Sequence, residues 1–361
     1  MLNKLLTHII INERMANKIV LISMVKNESD IIESFVRHHI DMVDAMLIVN
    51  HNSVDSTKKI LELLRDEGLN IFLYDNTIVE YEQSLIMTDL LYEAINKFNA
   101  DIVIPLDADE FIVNSHDTRD CKSILSSIDS DKIYRIKSYN YFKPKISKEP
   151  SAFTLDSAKL KSRVRQSMGK IIIGCDVVKK FKVGLEMGNH DITISRRKRK
   201  YVNFIDLDTI HLAHCQIRPE EQFLSKVTVN YLLDLSRTDR NPRDSYHIRN
   251  IFEKIKSGAS VEYREMLALI SGIEFIFNED NIDHVDLSTV TRHTDLSYQE
   301  HVKVNKNVNL ISAFESITNE FSKLKRAERS FIYIFSLLIK NVLRILIFFW
   351  RRQLLGRTVS N

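Results

Sequence analysis

From Lys18 to Leu106 short apolar runs alternate with stretches of helical periodicity, and this alternation constrains the fold more than any other feature of the chain. Apolar Ile19 to Met24 is followed by Ile31 to His39 at helical spacing, then by Ala45 to Asn50, Thr57 to Glu67 and Asn70 to Tyr74. A further helix is predicted over Glu82 to Phe98, leading into a buried strand, Ile102 to Leu106, that stops abruptly at acidic residues. Parallel strands joined by crossover helices are the expected arrangement. Ligands of such open α/β sheets collect at the carboxyl ends of the strands. After Ile133 to Tyr139 the pattern is mixed, with strands predicted at Lys170 to Ile173, Val177 to Val183, Asp191 to Ser195 and Thr209 to Ala213. From Glu220 to about Ile276 the periodicity is helical. There is no internal repeat, and no stretch rich in Pro, Gly or Ser marks a domain boundary.

Composition removes several classes. At 361 residues and 44% hydrophobic the chain is too apolar for a disordered protein and long enough for one large or two modest domains. Lys plus Arg number 51 against 48 Asp plus Glu, and a net charge of +3 is too small for sequence-general nucleic-acid binding. Cys121, Cys175 and Cys215 are odd in number and widely spaced, which argues against a disulfide framework or a structural zinc site and for reduced thiols in a cytosol.

The two ends read differently from the middle. Residues 1 to 16 carry a short apolar run without a small-residue cleavage site, and are expected to be a leader or start-site extension. Ser330 to Trp350 is almost wholly apolar, with Ser336, Lys340 and Arg344 at intervals of four along one side of a helix. Between Lys323 and Asn361 nine basic residues face the single acid Glu328, so the tail is +8. A basic amphipathic helix over 330–352, lying on an anionic membrane surface, is the expectation; a core or dimer helix is the plainer reading. A membrane-spanning helix is disfavoured, because Lys340 and Arg344 at its centre would each cost about 2.5 to 3.5 kcal/mol.

The sharpest chemical signal is Leu106-Asp107-Ala108-Asp109-Glu110-Phe111 at the end of a strand, where two carboxylates one residue apart can turn toward one ion. Oxygen ligands with room to spare suit Mg2+ or Mn2+ carrying a diphosphate. Asp-x-Asp is common, and a solvated loop looks the same. Val25-Lys26-Asn27-Glu28 and Asn50-His51-Asn52-Ser53-Val54-Asp55-Ser56-Thr57 follow the first two strands, where side chains line the crevice above the sheet. Ser56 is read as the N-cap of the next helix, which leaves Asp55 for a ribose or base edge. A third segment runs from His211 to Lys226, containing His214, Arg218, Glu221 and Lys226. The basic run Arg196 to Lys200 reads as a hairpin tip or loop, either a solvated edge or a contact for anionic lipid or a phosphorylated acceptor.

Together, Lys-Asn-Glu after a strand, Asn-Ser-x-Asp-x-Thr, Leu-Asp-Ala-Asp-Glu-Phe, Gly188-Asn189-His190 and His-x-x-x-Arg-x-x-Glu-Gln-Phe-x-x-Lys resemble the family 2-like glycosyltransferases of GT-A fold, in the bacterial branch with a Leu-Asp-x-Asp-Glu-Phe motif. The similarity covers roughly Lys18 to Val229 and rests on the order of the motifs. It implies a GT-A-like, Rossmann-type mixed sheet flanked by helices over 17–219, followed by a helical appendage over 220–322 and the basic tail over 323–361. By the same resemblance Glu28, Asn52 and Asp55 would hold the nucleotide, Asp107 and Asp109 the metal, with Glu110 beside them. His214, ahead of His190, would complete the metal or phosphate site, and Arg218 and Lys226 could grip phosphate or an acidic acceptor.

The implied reaction is attack by an acceptor hydroxyl of a glycan or glycolipid on a nucleotide sugar, a UDP-sugar first among them, with Mn2+ or Mg2+ taking up charge on the leaving diphosphate. Inversion needs a carboxylate base, and Glu186, Asp191 and Glu221 are candidates without an evident choice. The expected place of work is the cytosolic face of the cell membrane, with no nucleic-acid partner. Two alternatives remain: a nucleotidyltransferase, which normally needs a Gly-rich, basic phosphate loop early in the chain and is disfavoured because Ser23 to Glu28 has no glycine, and a catalytically silent, membrane-bound scaffold in a polysaccharide-assembly complex.

Overall fold

The computed structural model describes residues 17–76, 82–114, 120–146, 151–236, 246–263, 265–267, 281–290, 293, 295–302 and part of 314–340. The chain forms two compact units, 1–310 and 311–361.

Four parallel strands carry the first half of the large unit: β1 (Ile19–Val25), β2 (Ala45–His51), β3 (Ile71–Asn76) and β4 (Ile102–Pro105). They lie in the order β3-β2-β1-β4 and are joined by α1 (Ile32–Ile40), α2 (Thr57–Asp66) and α3 (Gln83–Asn96). Every residue of β1 and β2 is buried, as expected where both faces of a parallel sheet are covered. The pleat sends Ile19 and Leu21 into one core with Phe35, Met46 and Phe111, and Val20 and Ile22 into the opposite core with Leu47, Leu90 and Leu91. In α2 the buried positions Thr57, Ile60, Leu61 and Leu64 repeat at helical spacing and leave the lysines outside. Each such fully buried aliphatic side chain contributes about 1.5 to 3 kcal/mol.

The sheet continues past β4 with antiparallel partners. β8 (Lys170–Gly174) pairs β4 and β6 (Ile133–Phe142); β7 (Leu160–Arg165) pairs β6 and the edge strand β12 (Ile282–His284). β11 (Phe204–His214) runs parallel to β6 and antiparallel to β5 (Glu110–Asn114). The expected mixed α/β sheet flanked by helices is therefore present. Helices α7 (Glu220–Ser236) and α8 (Tyr246–Lys256) follow, and a third cluster holding Phe142, Leu160, Phe223, Val227 and Ile251 ties them to the sheet.

Three local expectations are corrected. The strand predicted over Val177 to Val183 is helix α5 (Cys175–Phe181), capped by left-handed Lys182, with α4 (Cys121–Ser127) before it in the chain. Asp176 in its first turn and Lys179 and Lys180 in its last complement the helix dipole and outweigh the β preference of the two valines. Of Asp191 to Ser195 only Ile192–Thr193 is extended, as β10, pairing the two-residue β9 (Gly184–Leu185). The basic run is one exposed helical turn, α6 (Arg196–Arg199), rather than a hairpin tip.

Candidate active site

The strand order reverses at β1, because β2 and β3 extend to one side and β4 lies on the other. The carboxyl ends of β1 and β4 thus frame the switch-point crevice where ligands of doubly wound sheets bind. Lys26 to Glu28 follow β1, and Leu106 to Asp109 follow β4.

The acidic turn is held by its own atoms. Asp107 N–H donates to Glu110 Oε2 at 3.0 Å, and Glu110 N–H donates back to the Asp107 carbonyl at 3.1 Å. β5 then pairs Glu110 with His214 of β11, and Cys215 N–H donates to the Asp109 carbonyl at 2.8 Å. That pairing brings a segment a hundred residues away onto the turn.

The two aspartates diverge instead of facing one point. Asp107 Oδ1 accepts from Gln83 Nε2 at 3.1 Å, and Oδ2 accepts from Lys170 Nζ at 2.6 Å. Lys170 is 2% exposed and also reaches the Gly188 carbonyl at 2.6 Å and Glu110 Oε2 at 3.3 Å. Asp109 Oδ2 accepts from Lys226 Nζ at 2.9 Å, while its Oδ1 lies 3.4 Å from His214 Nε2. Lys226 continues to Glu28 Oε1 at 3.0 Å, and Glu28 in turn binds Arg218. Arg218 is fully buried and its Nε lies 3.0 Å from Asp30. It therefore presents no face to a ligand, and the expectation that it grips phosphate is corrected: with two buried carboxylates beside it, it serves as their counter-ion.

Electrostatics follow the pairing. Burial works to raise the Asp109 carboxyl, but Lys226 and His214 outweigh it and hold the group well below the usual carboxylate range. Burial lifts Glu110 to about 7, with the Asp107 charge adding to it and Lys170 opposing. His214 is shifted upward, the Asp109 carboxylate overcoming the burial that would lower it. Its Nδ1 lies 3.0 Å from Gln166 Oε1 and 3.1 Å from Gln216 Nε2. Gln166 is fixed by donating to Asn140 Oδ1.

The residues expected to hold a nucleotide lie on one hydrogen-bonded loop pair. Asn27 N–H donates to Ser53 Oγ at 3.0 Å and Val54 N–H to Asn27 Oδ1 at 2.9 Å. Asn27 and Asn52 both hold positive φ, 55° and 51°, a backbone that asparagine tolerates. Ser29 N–H donates to Asp55 Oδ2, and Asp55 Oδ1 accepts from the Thr57 backbone and hydroxyl. Ser56 holds the N-cap position of α2, as expected, but makes no side-chain cap bond; the Asp55 carboxylate accepts from Thr57 N–H instead.

The base candidates are scattered. Asp191 accepts from its own neighbour Ile192 N–H and pairs with Arg199. Glu186 is exposed, one turn before His190, and Glu221 is half-buried in the first turn of α7. Sequence reasoning missed Lys170, Gln83 and Gln166. A lysine heading the apolar run Lys170 to Ile173 was the available signal for the first, since a charge in a buried strand requires a partner.

No set of three His, Cys, Asp or Glu side chains among the described residues is placed to hold a metal ion by itself. Two donors are nonetheless suited to one. Asp107 is a third exposed, and His190 gives its Nδ1–H to the Gly169 carbonyl at 2.7 Å, which leaves the Nε2 lone pair without a hydrogen bond among the described residues. A fixed Nδ1–H and an open Nε2 is the arrangement of a metal-binding histidine. Mg2+ and Mn2+ accept few protein ligands when phosphate oxygens and water supply the remainder. The residues fit such an ion only together with a phosphate ligand.

No family model and no curated protein matches this chain. Among solved structures, it is similar to glucosyl-3-phosphoglycerate synthase from Mycobacterium tuberculosis in complex with Mn2+, UDP and glucosyl-3-phosphoglycerate, at 15% identity over 63% of this chain and 82% of that one, TM-score 0.31. The same enzyme with Mg2+ and UDP gives 14% identity, 63% and 81% coverage and TM-score 0.31. A likeness of this size adds nothing to what the topology above already shows.

Proposed function

We propose that the chain is a metal-dependent glycosyltransferase of GT-A type, moving a sugar from a nucleotide-sugar donor to a hydroxyl group of a cell-surface glycan or glycolipid precursor. The observation that supports this reading is the convergence of separately spaced motifs on one crevice. Glu28, Asp55, Asp107, Asp109, His190, His214 and Lys226 come from five segments and meet at the carboxyl ends of β1, β2 and β4. A UDP-sugar is the favoured donor. The catalytic part would centre on 17–219, with 220–322 adding helices α7 and α8, the crevice residue Lys226 and edge strand β12 to it, and 323–361 as a tail on the inner face of the membrane.

A divalent cation bound by Asp107 and His190 would neutralise charge on the departing diphosphate. Lys170 holds the Asp107 carboxylate in place through its 2.6 Å contact to Oδ2, and the Asp109, Lys226 and Glu28 chain fixes the floor of the crevice. An inverting reaction needs a carboxylate base; Glu186 and Glu221 are the candidates that pair with no cation among the described residues.

Thermal stability of the purified protein against UDP, GDP and CMP, each with and without Mn2+, tests the reading. A metal-requiring rise of several degrees with one nucleotide, absent in Asp107→Asn, supports it. No rise with any nucleotide overturns it. One observation favours a second reading, a catalytically silent scaffold: both aspartates are engaged by lysine ammonium groups. In that case Asp107→Asn leaves the cellular phenotype unchanged.

A further inference from the structure

The charged groups around the crevice are matched almost one to one. Lys170 is matched by Asp107 and Glu110, Lys226 by Asp109 and Glu28, and Arg218 by Glu28 and Asp30. Across β2 and β3, Asp75 is taken by Lys58 and by Asn50 Nδ2. Asp55 is satisfied by Ser29 and Thr57.

Lys26 breaks this pattern. It is the first residue after β1, at the switch point, and it is half-buried. It has neither an ion pair nor a hydrogen bond among the described residues. Its neighbour at the end of β2, His51, is buried and lowered to about 4 by burial and then by the Lys26 charge. His51 therefore adds no second cation at neutral pH and offers no negative charge. Burial likewise lowers Lys26 itself, with no acid opposing the shift. An ammonium partly withdrawn from water without an anion is unfavourable, and such groups persist where a ligand brings the missing charge.

We infer that Lys26 is the cation that receives the ligand's anion, binding a phosphate oxygen of the donor nucleotide from the β1 side of the crevice. This rests on the reading of the crevice as a nucleotide-sugar site. Lys26 faces the phosphate as a point charge on a flexible stem, so arginine can replace it but an uncharged side chain of like length cannot. Because the ammonium has no partner among the described residues, removing it orphans no carboxylate there, and the ligand-free fold should not be weakened.

The test uses the full chain in Mg2+ buffer, with UDP binding followed by calorimetry and uridine binding by ligand-observed NMR. Lys26→Met is expected to weaken UDP at least tenfold, to leave uridine within twofold and to melt no lower than wild type without ligand. Lys26→Arg is expected to keep UDP within about threefold. Unchanged UDP affinity in Lys26→Met overturns the assignment, as do equal losses for UDP and uridine, which would place Lys26 on the base or ribose. If wild type binds neither UDP nor uridine, the donor-site reading fails and the assignment with it; wild-type UDP binding that ignores Lys26 defeats the assignment alone.

Discussion

Lys170 has three acceptors around its ammonium group and almost no water, so its removal tests what the acidic turn depends on. Lys170→Met leaves Asp107 and Glu110 facing each other without a counter-ion. Breaking a buried pair from one side costs about 3–5 kcal/mol, and a loss of that size is expected in urea denaturation at pH 8. The loss should shrink as pH falls toward 7, because Glu110, without Lys170 to lower it, takes up its proton at a higher pH than in the wild type. Wild-type stability carries the same signature. The folded-state value of Glu110 is raised to about 7 from 4.5, so its contribution is fully present at low pH and is lost as pH rises through about 7. Glu110→Gln keeps an acceptor for Asp107 N–H and cannot ionise. Denaturation series at pH 5, 7 and 9 should therefore show a flatter profile in this variant. An equal slope in both proteins would show that Glu110 is not the titrating group. Asp107 and Asp109 were legible in the sequence because a Leu-Asp-x-Asp-Glu turn after an apolar strand is a local pattern. Their lysine partners lie 63 and 117 residues away, and such pairing is written only in the fold.

β8 shows how an element inserted between two others is held by what it lacks. A Cβ on Gly174 would lie 2.2 Å from the Ser130 carbonyl oxygen, and one on Gly169 would lie 2.0 Å from the Ile136 carbonyl oxygen. Both obstacles are backbone and cannot turn aside. Gly174→Ala should therefore push the end of β8 from the 130–132 segment that precedes β6, at a cost of roughly 1–3 kcal/mol or more. Gly68→Ala provides the contrast, since nothing lies within 4 Å of its Cβ and only its φ of 92° opposes the change. Melting temperatures of the two variants should separate, with Gly174→Ala the lower; the reverse order would mean that β8 yields easily. The parallel strands β1 to β4 were readable because both of their faces are apolar and strong helical periodicity separates them. α5 was misread because seven residues are too few for periodicity to outweigh two valines, and its end is set by a left-handed Lys182 that the sequence does not announce. β7 passed unnoticed because a strand whose last three residues, Arg163, Val164 and Arg165, are exposed lacks the apolar alternation that marks buried ones.

The whole chain divides its charge unevenly. The tail from Lys323 onward holds +8 and the remainder therefore −5, which sums to the +3 of the molecule. In the small unit the described helical residues Phe331 to Phe335 are all exposed, as are Phe314, Phe321, Leu324, Leu338 and Ile339. No helix among the described residues is long and apolar enough to cross a membrane. Consecutive exposed aromatic and aliphatic residues next to Lys323, Lys325 and Arg326 are suited to the interface of an anionic bilayer, where apolar burial and about 1 kcal/mol per basic residue act together. We predict that truncation after Leu324 abolishes sedimentation with phosphatidylserine vesicles and leaves metal-dependent UDP binding intact. Full-length binding should weaken steeply with salt, because its electrostatic part is screened within a Debye length. Retained vesicle binding by the truncated chain would instead direct attention to α6, whose Arg196, Arg197, Lys198 and Arg199 form a compact basic surface on the large unit. Replacing those four by serine in the truncated protein would then decide whether that turn, rather than the tail, holds the membrane.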